Sequence, residues 1–178
     1  MSAAVLCIGT ELTRGELVNT NAPWLSESLT DGGIEVTAIE TVPDDRAIII
    51  ETLRRLSAGP LAIVCTGGLG PTTDEITSEC VADLLGDALE RDHAALDTIR
   101  SQMERFGRVM ATSNAKQADF PRGAAVLANA KGTAPGFSVA LGHAQAFFMP
   151  GVPREMKTMF REYVAPALAP LVRGAMHQ

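Results

Sequence analysis

Short apolar runs alternate along this chain with stretches whose apolar residues recur at helical spacing. Ala3 to Ile8 and Leu61 to Cys65 are continuous apolar runs, short enough for strands buried on both faces. Ile34 to Val42 alternates apolar with polar residues, as a less buried strand does. Trp24, Leu25 and Leu29 form the apolar face of a helix with Pro23 in its first turn and Gly32-Gly33 at its end. Ile49, Leu53 and Leu56 predict a second helix, and Ile76, Cys80 and Leu84 a third that starts near Thr73 to Glu75. Leu96, Ile99, Met103 and Phe106 mark a fourth, opened by His93. Ala124 to Leu127 reads as a short strand, and Phe137 to Leu141 with Gln145 to Met149 as a hairpin with His143 at its surface tip. Pro150-Gly151-Val152-Pro153 turns into a last helix with Met156, Met159, Phe160 and Tyr163 as its core stripe. Pro166 and Pro170 are expected to interrupt that helix, and the last residues to fray. Gly107 to Phe120 has no strong periodicity and reads as a lid or substrate loop. Strands alternating with helices place the chain in the α/β class.

Composition narrows the function more than the fold. With 178 residues and 46% hydrophobic content, the chain fits one compact domain. A net charge of -6 argues against binding nucleic acid through a broad basic surface. Lys116, Lys131 and Lys157 are the only lysines. Cys7, Cys65 and Cys80 lack metal-ligand spacing and are too scattered for a disulfide scaffold. No apolar run reaches transmembrane length and the amino terminus does not read as a signal peptide. A cytoplasmic protein is therefore expected, without membrane or nucleic-acid partners. Dispersed histidines argue against histidine catalysis.

The chemistry concentrates in Thr66-Gly67-Gly68-Leu69-Gly70-Pro71-Thr72-Thr73-Asp74-Glu75. Strand, glycine turn and helix point free backbone N–H groups at an anion, and glycine lets the backbone approach closely. The alternative is a tight turn with an acidic cap, in which Thr72, Thr73 and Asp74 close the helix start. Asp74 and Glu75 would repel a bare phosphate, which suggests a divalent cation of unknown identity between them. Glu11 and Asp44 also follow strand ends, where α/β sheets place ligands; Glu11 is either a metal ligand or a loop hydrogen-bonder, Asp44 either a helix cap or a metal ligand. Three strand ends thus carry acids, and because such ends lie along one edge of a parallel sheet, one cluster is expected there. Asn19 and Asn21 are part cap and part ligand contact. Lys116, beside Asn114 and Gln117 in the unpatterned segment, is either a cation facing phosphate or a solvent-exposed lysine. Gly151 permits a close approach and a further wall for the site.

These blocks resemble a known family. Gly9-Thr10-Glu11-Leu12 with Gly15 and Asn19-Thr20-Asn21, Val42-Pro43-Asp44, and the Thr66 to Thr77 segment come first. Asn114-Ala115-Lys116-Gln117-Ala118 with Pro121, Gly132-Thr133-Ala134-Pro135-Gly136-Phe137 and Pro150-Gly151-Val152-Pro153-Arg154-Glu155-Met156 follow in the same order. Together they resemble the amino-terminal domain of the competence/damage-inducible protein (CinA) family, of the molybdopterin-binding (MoCF) fold group. The resemblance covers roughly residues 4–165. It implies a single domain over 1–178: a three-layer α/β/α arrangement on a mostly parallel sheet. It also implies metal-dependent hydrolysis of a nucleotide diphosphate sugar such as ADP-ribose, giving AMP and ribose 5-phosphate. Carried over by motif, Asp44 and Glu75 are the metal or water acids, with Gly67 to Gly70 and Thr72 cradling phosphate; Lys116 completes the catalytic candidates. The family pattern has aspartate where this chain has Glu75, so the carboxylate reaches one methylene further; Pro43 stands where glycine is frequent. The alternatives are a pterin-binding protein of molybdenum-cofactor synthesis and a non-catalytic nucleotide-binding module. The expected partner is a phosphorylated nucleotide or pterin, and a homo-oligomer is expected. Many family chains continue into a deamidase domain; stopping near the end of the first, this one is expected not to deamidate nicotinamide mononucleotide.

Overall fold

The chain opens with β1 (Ser2–Ile8), a single turn α1 (Thr10–Thr13), α2 (Asn21–Asp31), β2 (Glu35–Val42), α3 (Arg46–Leu56) and β3 (Ala62–Thr66). It continues with α4 (Thr77–Leu85), β4 (Leu89–Arg91), α5 (His93–Arg105), a 3-10 segment at Thr112–Ala118, β5 (Asp119–Pro121) and β6 (Ala125–Leu127). The hairpin β7 (Gly136–Leu141) and β8 (Ala144–Met149), then α6 (Pro153–Met159), a π turn at Phe160–Val164 and α7 (Ala165–Ala175) complete it. The computed structural model describes residues 1–175, so the fraying expected of the last residues concerns 176–178, which lie outside the described residues.

Six strands form one sheet in the order β2-β1-β3-β8-β7-β6. β1 pairs in parallel with β2 and β3, β3 with β8, and β7 runs antiparallel to β8 and β6. The strand period of two sends alternate residues of β1 into opposite cores. Ala4, Leu6 and Ile8 meet α3, α4 and α5; Ala3, Val5 and Cys7 meet α2, α6 and α7. That is the expected three-layer α/β/α arrangement on a mostly parallel sheet. The consecutive apolar residues of Ala3 to Ile8 serve both layers at once, and all six are buried. Because β1, β2, β3 and β8 run the same way, Ile8, Val42, Thr66 and Met149 finish along one sheet edge, and the loops carrying the candidate chemistry leave from there.

Four expectations need correcting. The third helix begins at Thr77, not at Thr73 to Glu75, and Thr72, Thr73 and Asp74 make no cap for it. Residues 71–76 instead form a turn that returns to the glycine loop, where the Thr77 N–H bonds Gly68 O. Phe106 terminates α5 and is 51% exposed rather than part of its inner face. The Gly107 to Phe120 segment is not an unpatterned loop: it holds the 3-10 segment and β5, which pairs antiparallel with β4 on α4's side of the molecule. Pro166 and Pro170 do not break the last helix. The wider π turn just before Pro166 accommodates the missing N–H and the ring, and α7 continues through Pro170.

Candidate functional site

A cleft of about 690 Å³ opens at the carboxyl edge of the parallel strands. Its floor is the turn that leaves β3. Gly67 and Gly68 have φ of +106° and +70°, and a Cβ on Gly67 would overlap the Ile8 carbonyl. Glycine is therefore required by two separate facts, left-handed backbone and contact with β1. The turn is fixed from both sides: Gly67 N–H donates to Met149 O at 2.9 Å, and the buried Thr77 hydroxyl donates to Gly67 O at 3.1 Å.

Glu11, Asp44, Asp74 and Glu75 all line this cleft. Asp44 Oδ2 accepts from the Thr10 N–H at 2.8 Å and lies 3.1 Å from the Thr10 hydroxyl; that hydroxyl in turn accepts from the Asp44 N–H at 3.0 Å. Asp44 thus faces α1, and the cap of α3 is its neighbour Asp45, whose side chain accepts from Ile48 N–H. Asp74 is exposed and sits below the ordinary carboxylate range, drawn down by the adjacent Thr72 hydroxyl, its own backbone amide and the charge of Lys116. Glu75 behaves differently from the other acids. Its Oε1 accepts from Gly70 N–H at 2.8 Å, and its Oε2 from Thr72 N–H at 3.1 Å and the Thr72 hydroxyl at 2.6 Å. The carboxylate lies where a Cβ on Gly70 would be.

The opposite wall is amide and aliphatic. Asn19 Oδ1 accepts from Ala22 N–H and its Nδ2 donates to the Thr41 hydroxyl, so it starts α2 and ties it to β2. Asn21 is 8% exposed; its Nδ2 donates to Gly151 O at 2.8 Å and to the Thr66 hydroxyl at 3.3 Å, while its Oδ1 has no partner among the described residues. Thr66 passes its own proton to Pro150 O. Leu17 and Val18, 60% and 85% exposed, join Leu12, Val152 and Pro153 as an aliphatic rim.

Of the residues singled out from sequence, Thr66, Gly67, Gly68, Thr72, Asn19, Asn21 and Gly151 line the cleft with the four acids. Leu69, Gly70, Lys116 and Gln117 do not. Leu69 and Gly70 face a separate depression of about 40 Å³ that also holds Lys116. The Lys116 ammonium donates to Thr72 O and Glu75 O at 2.8 and 2.7 Å, so it holds the turn from behind instead of facing a phosphate. Gln117 is buried, with Asn114 Nδ2 donating to it at 3.4 Å, away from the cleft. The cleft lining contains, among the described residues, no lysine, arginine or histidine. Among the described residues, no three His, Cys, Asp or Glu side chains come close enough to hold a metal ion between them. Thr10 and Thr77, which fix Asp44 and the glycine turn, were not singled out from sequence. A hydroxyl beside a strand end carries no signal of its own until its partner is known.

Residues 4–170 match the family described as "Probable molybdopterin binding domain". The chain belongs to the molybdopterin-binding domain family. Within this family it is similar to CinA-like proteins: 42% identical over 166 residues to one from Anaeromyxobacter sp. (strain K), and 44% over 168 residues to one from Citrifermentans bemidjiense. Those matches take in 93% and 94% of this chain and 41% of each relative, so the chain spans about two fifths of their length. The crystal structure of the CinA protein of unknown function from Thermoplasma acidophilum superposes with a TM-score of 0.84 at 32% identity, covering 96% of this chain and 97% of that one. The molybdopterin biosynthesis enzyme MoaB of Thermus thermophilus superposes with a TM-score of 0.63 at 21% identity, over 97% of this chain and 96% of its own, and shares the fold.

Proposed function

We propose that this molybdopterin-binding-family domain holds a phosphorylated pterin or nucleotide in the cleft as a complex with a divalent cation. The observation that carries the reading is the charge of the lining: four carboxylates, a floor of glycine backbone and, among the described residues, no basic side chain. A bare phosphoanion entering there meets only like charge, whereas a cation-complexed one meets complementary charge. The residues suit such a cation. Asp44 is oriented by Thr10 through Oδ2 alone, and Glu11 and Asp74 are also carboxylates of the lining. Hard cations bound with phosphates need only one or two protein carboxylates, so a three-residue cage is not required. One or two of Asp44, Glu11 and Asp74 would hold it together with the ligand's phosphate oxygens, and when bound it would neutralise the phosphate charge. The aliphatic rim of Leu17, Val18 and Val152 would cover a planar ring, and Asn21 would hold the Gly151 wall against the floor.

Titration calorimetry with ADP-ribose and with a molybdopterin-type ligand, each with Mg²⁺ or Mn²⁺ and again with EDTA, tests this. Binding is expected only with the cation, and Asp44→Asn should weaken it tenfold or more. Equal affinity in EDTA would overturn the proposal.

A second reading is favoured by the way Asp44 is held. A carboxylate fixed at one oxygen can orient a water and accept its proton at the other. In that reading the cleft hydrolyses a nucleotide diphosphate sugar such as ADP-ribose: water adds at one phosphorus, the bridging P–O bond breaks, and AMP and ribose 5-phosphate leave. A screen of nucleotide diphosphate compounds across divalent metals, with products identified, decides it; binding without turnover leaves the first reading alone.

A further inference from the structure

The anion cradle of this domain is already occupied. In a glycine turn that leaves a strand end, free N–H groups are what a phosphate would use, and here they precede the helix, which starts only at Thr77. Here Gly70 N–H, Thr72 N–H and the Thr72 hydroxyl all donate to the Glu75 carboxylate, at 2.8, 3.1 and 2.6 Å. Glu75 is long enough to fold back across five residues and reach them, and Gly70 lacks the Cβ that would exclude it. Lys116 holds this arrangement by donating to the carbonyls of Thr72 and of Glu75 itself.

We infer that Glu75 is a specificity-determining residue that masks the phosphate-binding amides of the loop, so that free phosphoanions are refused and only a cation-complexed ligand gains the site. The inference rests on the reading of the cleft as a phosphate site and adds how that site selects. Thr72 lines the cleft while Gly70 faces the depression behind Glu75, so a ligand in the cleft competes with Glu75 for the Thr72 donors. It reaches the Gly70 N–H only once Glu75 moves; ligand and carboxylate are both anions. A free phosphoanion offers Glu75 no new partner when it is displaced, and it faces Glu11, Asp44 and Asp74 as well. A ligand that brings a divalent cation supplies a countercharge for the displaced carboxylate. Only the second ligand therefore has a differential interaction with the open loop, which is what shifts such an equilibrium. If the open loop is populated at about 10% or less, masking weakens apparent affinity about tenfold or more.

The test uses inorganic pyrophosphate as probe, followed by ¹⁵N NMR titration in EDTA and about 0.5 M salt, where exposed charges are largely screened. Wild type, Glu75→Ala and Glu75→Gln are compared. Glu75→Gln keeps one acceptor oxygen and nearly the same shape, so it guards against a variant that merely unfolds the loop. Glu75→Ala is expected to bind pyrophosphate at least tenfold tighter than wild type, and Glu75→Gln tighter by a smaller factor. The Gly70 and Thr72 amides should be the ones that shift. Pyrophosphate affinity unchanged or lower in both variants, or a gain that leaves those two amides unmoved, overturns the masking role. A parallel titration of wild type with ADP-ribose and Mg²⁺ separates the two levels. Binding there without a gain in the variants sinks only the mask, whereas no binding in either sinks the site and the mask together.

Discussion

Cys7, Cys65 and Cys80 have no exposed surface, and burial pushes all three thiols up, Cys80 to about 11. Thiolate is the reactive form, so the native protein should give almost no reaction with a disulfide reagent at pH 8 and three equivalents in denaturant. The linkage has a definite sign. Between the ordinary thiol value of 9.0 and the raised folded values, the unfolded chain has lost protons that the folded chain keeps. These thiols therefore favour the folded state fully below about pH 9 and lose that contribution as pH rises towards 11. Melting temperature measured from pH 7 to 11 should begin to fall above 9. At Gly67, substitution by alanine combines a left-handed backbone with overlap against the Ile8 carbonyl, and should cost at least about 2–3 kcal/mol in urea denaturation. At single residues, sequence was legible where geometry is local. The glycines announced a turn, but Asp44 read equally as a helix cap or as a metal ligand, and the cap is its neighbour Asp45. Only the tertiary contact with Thr10, 34 residues away, separates their roles.

Among the elements, those with a clear period were readable and those without were not. The strands of the large sheet came from short apolar runs or from alternation, and helices α2, α3 and α5 from i, i+3 and i, i+4 spacing. The ribbon β4–β5 is three residues long on each side, too short for a period of two to register. The 3-10 segment carries neither the strand nor the α-helical period, so it passed for an open loop. That segment places Lys116 against the glycine turn, and the ribbon keeps it there. Lys116→Met should lose two charge-assisted bonds, and its partial exposure limits the cost to about 1–2 kcal/mol. Hydrogen exchange should accelerate at Thr72 to Thr77 while β1 and β3 stay protected. If exchange in that turn stays as slow as in wild type, the lysine is not what holds it.

At the level of the whole molecule, the two apolar layers are unequal in chemistry. Phe137 and Phe148 stack at 4.6 Å in the layer under α3, α4 and α5, and both have no exposed surface. Phe148→Ala should cost about 3–5 kcal/mol in urea denaturation, since neither a flat ring nor the neighbouring strand backbone can close the cavity. The layer order was legible because fully apolar strands demand cover on both faces. The strand order was not, because no local pattern tells β3 that its neighbour is β8, nearly eighty residues later. That order has a consequence for biosynthesis. As the chain leaves the ribosome, β3 is made early with one edge open, and it stays unpaired until the Ala144–Met149 segment emerges. The bond from Asn21 to Gly151, 130 residues apart, can form only later still. The cleft is thus closed only late, once the segment 150–153 has emerged. A nascent chain halted anywhere before residue 144 carries an apolar strand edge that invites pairing with a neighbour.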